Sequence, residues 1–124
     1  MIQKTIQIFT EKEEEFISLL TSIGTQKNVA KLLVYLAKLK AATSREIERG
    51  TDLRQPEVSI ALKYLSRRGW IESHETPSEK KMGRPVKLWN LALPVGKILD
   101  IIGQETQNEL KTRLDLVQKV RNFA

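Results

Sequence analysis

Residues 43–73 read TSREIERGTDLRQPEVSIALKYLSRRGWIES and combine the signals of two helices joined by a tight turn. Ser44 has the chemistry of an N-cap, and the helix that follows it is predicted to end at Gly50. Residues 51–54 form the turn. Pro56 then opens a helix that continues to Arg68, because a proline at the first helical position loses no hydrogen bond. A short helix, a turn and a longer helix predict a helix–turn–helix unit.

The segment after this unit predicts a β-hairpin. Residues 70–75 have strand chemistry, and residues 86–91 (VKLWNL) alternate apolar and polar side chains. The intervening TPSEKKMGRP, residues 76–85, holds two prolines, a glycine and three basic residues, which is typical of a loop. Trp70 and Trp89 are expected to pack the root of the hairpin on the helices. A hairpin with a basic tip after a helix–turn–helix predicts a wing.

Helices are also predicted on both sides of this core. Thr10 and Glu13 have capping-box spacing before a helix that Gly24 stops. Residues 26–40 carry apolar side chains at three- and four-residue intervals, so they form the central core helix. Pro94 opens a last helix that runs to near the C-terminus. The expected fold is mainly α with a small β-hairpin: an N-terminal helical extension (1–25), a winged helix-turn-helix (26–91) and a C-terminal dimerisation helix (92–124).

The charge distribution indicates a polyanionic partner. The formal net charge is +6, and residues 38–91 hold twelve basic and seven acidic residues, so this segment carries most of the excess. A concentrated basic segment in a small protein favours binding to nucleic acid, while a solvated basic surface is the alternative. Together with the predicted helix–turn–helix, this predicts binding to double-stranded DNA.

The second helix of the unit carries side chains suited to a DNA major groove. Gln55, Ser59 and Lys63 follow one another at intervals of four residues and share a helix face. Amide, hydroxyl and ammonium groups recognise base edges or phosphates there. Glu57 has two interpretations, an acceptor for cytosine or a partner of the helix dipole. The predicted DNA-binding residues are Ser44, Arg54, Gln55, Glu57, Ser59, Lys63, Arg67, Lys80, Lys81, Arg84 and Lys87.

The composition argues against several other classes. The chain has no cysteine and one histidine, His74, which excludes disulfides and thiolate zinc sites and leaves little scope for histidine catalysis. We therefore expect no enzyme and assign no catalytic, cofactor or metal residue. The longest uncharged apolar run, residues 32–37, is far shorter than the roughly 20 residues of a membrane span. The N-terminus has no signal-peptide core, so we expect a cytoplasmic protein.

Residues 43–73 followed by KMGRPVKLWNL, residues 81–91, resemble the winged-helix domain of archaeal TrmB-like transcriptional regulators and of their ArsR and MarR relatives. The similarity covers roughly residues 26–91 and includes the Gly83-Arg84-Pro85 tip. It implies a homodimeric DNA-binding regulator. The chain lacks a counterpart of the sugar-binding domain of full-length TrmB proteins and the metal ligands of metal-sensing ArsR proteins. Neither effector binding nor metal sensing is therefore implied, and an effector stays unknown.

The apolar stripe of the last helix has two interpretations, core within one chain or a seam between two. We favour a homodimer, because a helix of this length exceeds what one small domain can cover. The predicted dimerisation residues are Phe16, Leu20, Ile98, Ile102, Leu110, Leu114 and Val117. The alternative function is a winged-helix protein–protein interaction module in a transcription or replication complex.

Overall fold

A computed structural model describes residues 8–76 and 85–124, which form five helices and two strands. The elements are α1 (Glu11–Ser22), α2 (Lys27–Ala37), α3 (Ser44–Thr51), α4 (Gln55–Arg67), β1 (Ile71–Thr76), β2 (Val86–Leu91) and α5 (Val95–Arg121). The chain divides into two units, Met1–Leu93 and Pro94–Ala124, each described by itself below. The predicted fold class, helices with one small hairpin, is confirmed.

Helix α1 begins and ends as the sequence predicts. The Thr10 hydroxyl accepts from the Glu13 N–H at 3.1 Å, and the Glu13 carboxylate accepts from the Thr10 N–H at 2.9 Å. This capping box satisfies two backbone donors that a helix N-terminus otherwise leaves free. After the helix, Gly24 adopts a φ of 107°, which a residue with a Cβ rarely adopts.

Helix α2 is the centre of the first unit. It packs against α1, α3, α4 and β2. Six of its 11 residues are buried, and Leu32, Leu33 and Leu36 are almost fully so. Such burial on nearly all sides explains why a short helix without a side-chain cap is stable, since tertiary packing supplies most helical stability. The helix is shorter than predicted and ends at Ala37 rather than Lys40.

Helix α3 corrects two predictions. Its N-cap is Thr43 and not Ser44, because the Thr43 hydroxyl accepts from the Glu46 N–H at 3.2 Å and the Glu46 carboxylate accepts from the Thr43 N–H at 2.8 Å. Gly50 lies within the helix and does not end it. A Cβ at this position would overlap the ring of Tyr35, so glycine permits close approach of α3 to α2.

The turn between α3 and α4 depends on Asp52. This residue has a φ of 56°, in the left-handed region that aspartate tolerates better than most residues. Helix α4 then starts at Gln55, one residue before the predicted Pro56. The Glu57 carboxylate accepts from the Arg54 N–H at 2.9 Å. The buried side of α4 is formed by Val58, Ala61, Leu62 and Leu65.

Strands β1 and β2 pair in an antiparallel hairpin, in a register that places Ser73 opposite Trp89 and Ile71 opposite Leu91. The other edge of β2 pairs with a single residue, Ala42. The Trp89 N–H donates to the Ala42 carbonyl at 2.8 Å, and the Ala42 N–H donates to the Trp89 carbonyl at 2.9 Å. The segment just before α3 therefore holds the hairpin at a fixed position beside the helix–turn–helix.

The second unit is one continuous helix, α5, of 27 residues. It runs through Gly103 without interruption and is about 40 Å long at 1.5 Å per residue. Ile98 is its one buried residue. Among the described residues, none of the helices combines the length and the apolar character that a bilayer crossing requires.

Candidate nucleic-acid interface

A groove of about 560 Å³ lies between α3, α4 and β2 in the first unit. Val58, Leu62 and Trp89 contribute its apolar lining, and Glu48 and Ser66 also border it. The remaining lining residues are six of the predicted DNA-binding residues, namely Ser44, Gln55, Ser59, Lys63, Arg67 and Lys87. The fold thus brings together residues that are up to 43 positions apart in the sequence.

The groove carries a positive charge. Lys63, Arg67 and Lys87 are exposed basic residues on its lining, and Glu48 is the one acidic residue among the lining residues that the structure describes. The Lys87 ammonium lies 5.5 Å from the centre of the Trp89 ring, within the range of a cation–π contact. These cations border an apolar surface, an arrangement suited to an anionic partner with flat or apolar parts.

Trp89 connects the hairpin to the groove. Its backbone pairs with Ala42 on one side and with β1 on the other, and its half-buried side chain lines the groove. Within the described part of the chain, the indole Nε1 is buried without a hydrogen-bond partner. Trp70 is 4% exposed and is covered by the Arg68 guanidinium, 4.3 Å from its ring centre. Both tryptophans lie at the root of the hairpin, as the sequence predicted.

The other five predicted DNA-binding residues are not among the described residues that line the groove. Arg54 is exposed at the start of α4, next to the groove lining in sequence. The Glu57 carboxylate is engaged by the Arg54 N–H, which corresponds to the helix-start interpretation of this residue. The other predicted residues, Lys80, Lys81 and Arg84, lie outside the described residues.

Sequence reasoning gave no role to Ile60, although it is the most exposed large apolar side chain described on α4. Ile60 is 66% exposed, and Tyr64 one turn later is 43% exposed. Only the position of Ile60 in the sequence could have indicated its exposure, because it falls outside the i, i+3, i+4 set of buried residues on this helix.

The predicted dimerisation residues are buried, half-buried or exposed in the single chain. Leu20 and Ile98 are buried in the single chain, and Phe16 and Ile102 are half-buried. Leu110, Leu114 and Val117 are exposed by 56%, 67% and 53%. The same helix carries two further exposed large apolar residues, namely Leu116 and Val120.

Two described side chains have clearly shifted pKa values, and both lie away from the groove lining. The Thr10 N–H, and then the Lys38 ammonium at 3.2 Å, hold the pKa of Glu13 below its ordinary value of 4.5. Burial, and then the Glu46 carboxylate, raise the pKa of the Tyr35 phenol above 10.0. Neither side chain lines the groove. No group of three or more candidate metal ligands occurs within residues 8–76 and 85–124.

Neither a family model nor a curated protein matches the chain, but solved structures do. TrmBL2, an archaeal chromatin protein, superimposes with a TM-score of 0.67 at 16% identity over 89% of this chain and 39% of its own. A possible transcriptional regulator from Methanosarcina mazei Go1 gives 0.62 at 14% identity over 88% and 87%. The MarR-family regulator NMB1585 from Neisseria meningitidis gives 0.51 at 22% identity over 88% and 84%.

The fold is a winged helix. Identities below 25% establish the shared fold and nothing finer, so the resemblance inferred from residues 43–73 and 81–91 is confirmed at that level. In the winged helix, α3 and α4 are the helix–turn–helix, and β1 with β2 is the wing. The chain spans well under half the length of TrmBL2 and most of the length of the other two proteins.

Proposed function

We propose that this protein is a sequence-specific regulator of transcription that binds double-stranded DNA as a homodimer. Helix α4 enters the major groove, and the basic wing lies along the backbone or the minor groove, as in other helix–turn–helix proteins. The observation that carries this proposal is the groove between α3, α4 and β2, whose lining includes six of the predicted DNA-binding residues. A regulator of this kind acts in the cytoplasm of a prokaryotic cell.

Each of the predicted DNA-binding residues has a role in this proposal. Lys63, Arg67 and Lys87 neutralise phosphates, and each such contact releases condensed counterions. Gln55 and Ser59 face base edges, where an amide pairs with adenine and a hydroxyl can donate to or accept from a base or a phosphate. Further proposed contacts are made by Ser44 at the start of α3, by Arg54 and Glu57 at the start of α4, and by Lys80, Lys81 and Arg84 of the wing sequence.

The comparisons support a DNA partner. TrmBL2 is an archaeal chromatin protein with a novel mode of DNA binding, and the Methanosarcina and Neisseria proteins are described as regulators. We carry over from TrmBL2 the class of partner, DNA, and no individual contact.

The homodimer is proposed from α5. Leu110, Leu114 and Val117 recur at intervals of four and three residues, which places them on one side of the helix. Monomeric proteins rarely expose contiguous apolar surface of this kind, which marks an interaction site. A second copy of the chain covers this apolar surface of α5. The resulting dimer presents two α4 helices, which match the two half-sites of a palindrome.

The DNA-binding proposal is tested with a pool of randomised duplexes, retained by the protein and then sequenced. We expect one palindromic site to be enriched. Binding of that site should weaken as salt rises, and each lost phosphate contact should make the negative slope of log K against log salt shallower by about 0.9. Lys63→Ala, Arg67→Ala and Lys87→Ala should each weaken binding, while Lys12→Ala, an exposed lysine of α1, serves as the matched control. Unchanged affinity in all three variants would contradict the proposal.

The homodimer is tested by measuring molar mass in solution. Leu114→Lys should convert the dimer to a monomer, because the new ammonium would be buried in the seam. Asn108→Lys places the same charge on the opposite side of α5 and should leave the dimer intact. A wild-type monomer at high concentration would remove the dimer from the proposal. Absence of DNA retention at low salt would instead favour the interaction module, with the exposed face of α5 as its surface.

A further inference from the structure

The exposed surface of α4 carries an apolar side chain that does not line the groove between α3, α4 and β2. Ile60 is 66% exposed, although it lies in the middle of a 13-residue helix whose other side is firmly buried. Pro56, Ile60, Lys63 and Arg67 follow one another at intervals of four, three and four residues, so they share one side of the helix. This side is turned away from Val58, Ala61 and Leu65, which are all at most 1% exposed.

The neighbours of Ile60 decide what this surface fits. Lys63 and Arg67, on the same side of α4, are exposed cations. An apolar side chain beside two cations is complementary to a polyanion that displays an apolar group. Within the major groove, the one apolar group on a base edge is the C5-methyl of thymine.

We infer that Ile60 is a specificity-determining residue that contacts a thymine methyl group in the major groove. Tyr64, one turn further along and 43% exposed, flanks the same contact. This inference rests on the proposed function, since it requires α4 to enter the major groove of the DNA. It goes beyond that proposal by assigning a thymine to the recognised half-site and by naming the side chain that reads it.

The experiment compares two duplexes that differ in methyl groups alone. The tightest-binding duplex from the randomised pool is synthesised once with thymine and once with uracil at every thymine position. Uracil keeps every hydrogen-bonding group of thymine and lacks the C5-methyl. We expect the wild-type protein to bind the uracil duplex about fourfold more weakly for each methyl group contacted, from the transfer free energy of one methyl group.

Two variants assign that difference to a residue. Ile60→Ala should bind the thymine and uracil duplexes equally well, and its exposure means that the fold survives, which circular dichroism verifies. Ile23→Ala is the matched control, because Ile23 is 54% exposed and lies beyond the end of α1, away from the groove lining. It should retain the full difference between the two duplexes.

The outcomes separate this inference from the proposed function. Equal binding of both duplexes by the wild-type protein would overturn the role of Ile60 while leaving DNA binding intact. A difference that persists in Ile60→Ala would overturn it too, because another side chain would then read the methyl group. Failure to bind any duplex would contradict the proposed function itself.

Discussion

Helices α2 and α5 both carry apolar residues at three- and four-residue intervals, but the two helices differ in how much of this apolar surface is buried. Helix α2 buries six of its 11 residues, whereas α5 buries only Ile98 of its 27. The apolar residues of α2 are covered by four other elements of the same unit, while Leu114 and Val120 of α5 are 67% and 70% exposed. Periodicity therefore identifies an apolar helix face but does not tell what covers it.

The largest expected effect is a difference in the free energy of unfolding between a variant of α2 and a variant of α5. Leu36→Ala in α2 should lower the free energy of unfolding by about 2–5 kcal/mol, because it removes a 1%-exposed side chain and leaves a cavity. Leu114→Ala should change it by less than about 0.5 kcal/mol when measured at a concentration at which the chain is monomeric. Denaturant titration of both variants checks this, and effects of equal size would contradict the distinction between the helices.

A second prediction concerns the packing of α3 on α2. Gly50→Ala should destabilise the first unit by roughly 1–3 kcal/mol, because the new methyl group would overlap the Tyr35 ring. In a Tyr35→Ala background the same change should be neutral or stabilising by up to about 1 kcal/mol, since alanine favours a helix over glycine. Thermal unfolding of the four proteins of this cycle measures the coupling. A cost that is the same in both backgrounds would show that the ring is not the cause.

A smaller effect distinguishes two neighbouring residues at the start of α3. Thr43→Ala should cost about 1 kcal/mol, because the Glu46 N–H loses its acceptor. Ser44→Ala should leave stability nearly unchanged, since Ser44 is exposed and is the first helical residue rather than the cap. Chemical denaturation of this matched pair is sufficient, and a larger loss from Ser44→Ala would restore the cap that the sequence first suggested.

The smallest effect is a pH dependence at α1. The pKa of Glu13 is lower in the folded chain than its ordinary value of 4.5, so the ionised form stabilises the fold. This contribution is complete above that value and is lost as the pH falls through the folded pKa. The stability difference between wild type and Glu13→Gln should therefore be at most about 1 kcal/mol at pH 6 and shrink towards zero as the pH falls through the folded pKa. Glu15→Gln, which removes the same charge from the same helix, is the control, and a difference independent of pH would contradict the assignment.

Most elements follow from local patterns that the sequence displays openly. Capping residues, a proline near the start of α4 and alternation in β2 locate the helix–turn–helix and the wing. A predicted helix start is wrong by one residue where two adjacent residues are equally good N-caps, as Thr43 and Ser44 are. Gly50 was predicted to end α3, but it lies inside the helix and packs closely on Tyr35, which depends on a contact between residues 15 positions apart.

The candidate site was predicted only partly, for a similar reason. Charge and hydrogen-bonding capacity can be read from residue types, so Lys63 and Gln55, which line the groove, could be predicted. Exposure depends on what the rest of the chain covers, and the role proposed for Ile60 rests on its exposure. Leu20 and Ile98 show the converse, because both belong to apolar stripes and both are already covered in one chain.

The central claim, that duplex DNA binds the surface formed by α3, α4 and β2, is tested most directly by mapping amide chemical-shift changes. The 14.2 kDa chain is labelled with ¹⁵N and titrated with the selected duplex. We expect the largest changes at Gln55, Ser59, Lys63 and Lys87, with small changes in α2. Changes confined to α1 or to the exposed face of α5, with α4 and β2 unaffected, would contradict the claim.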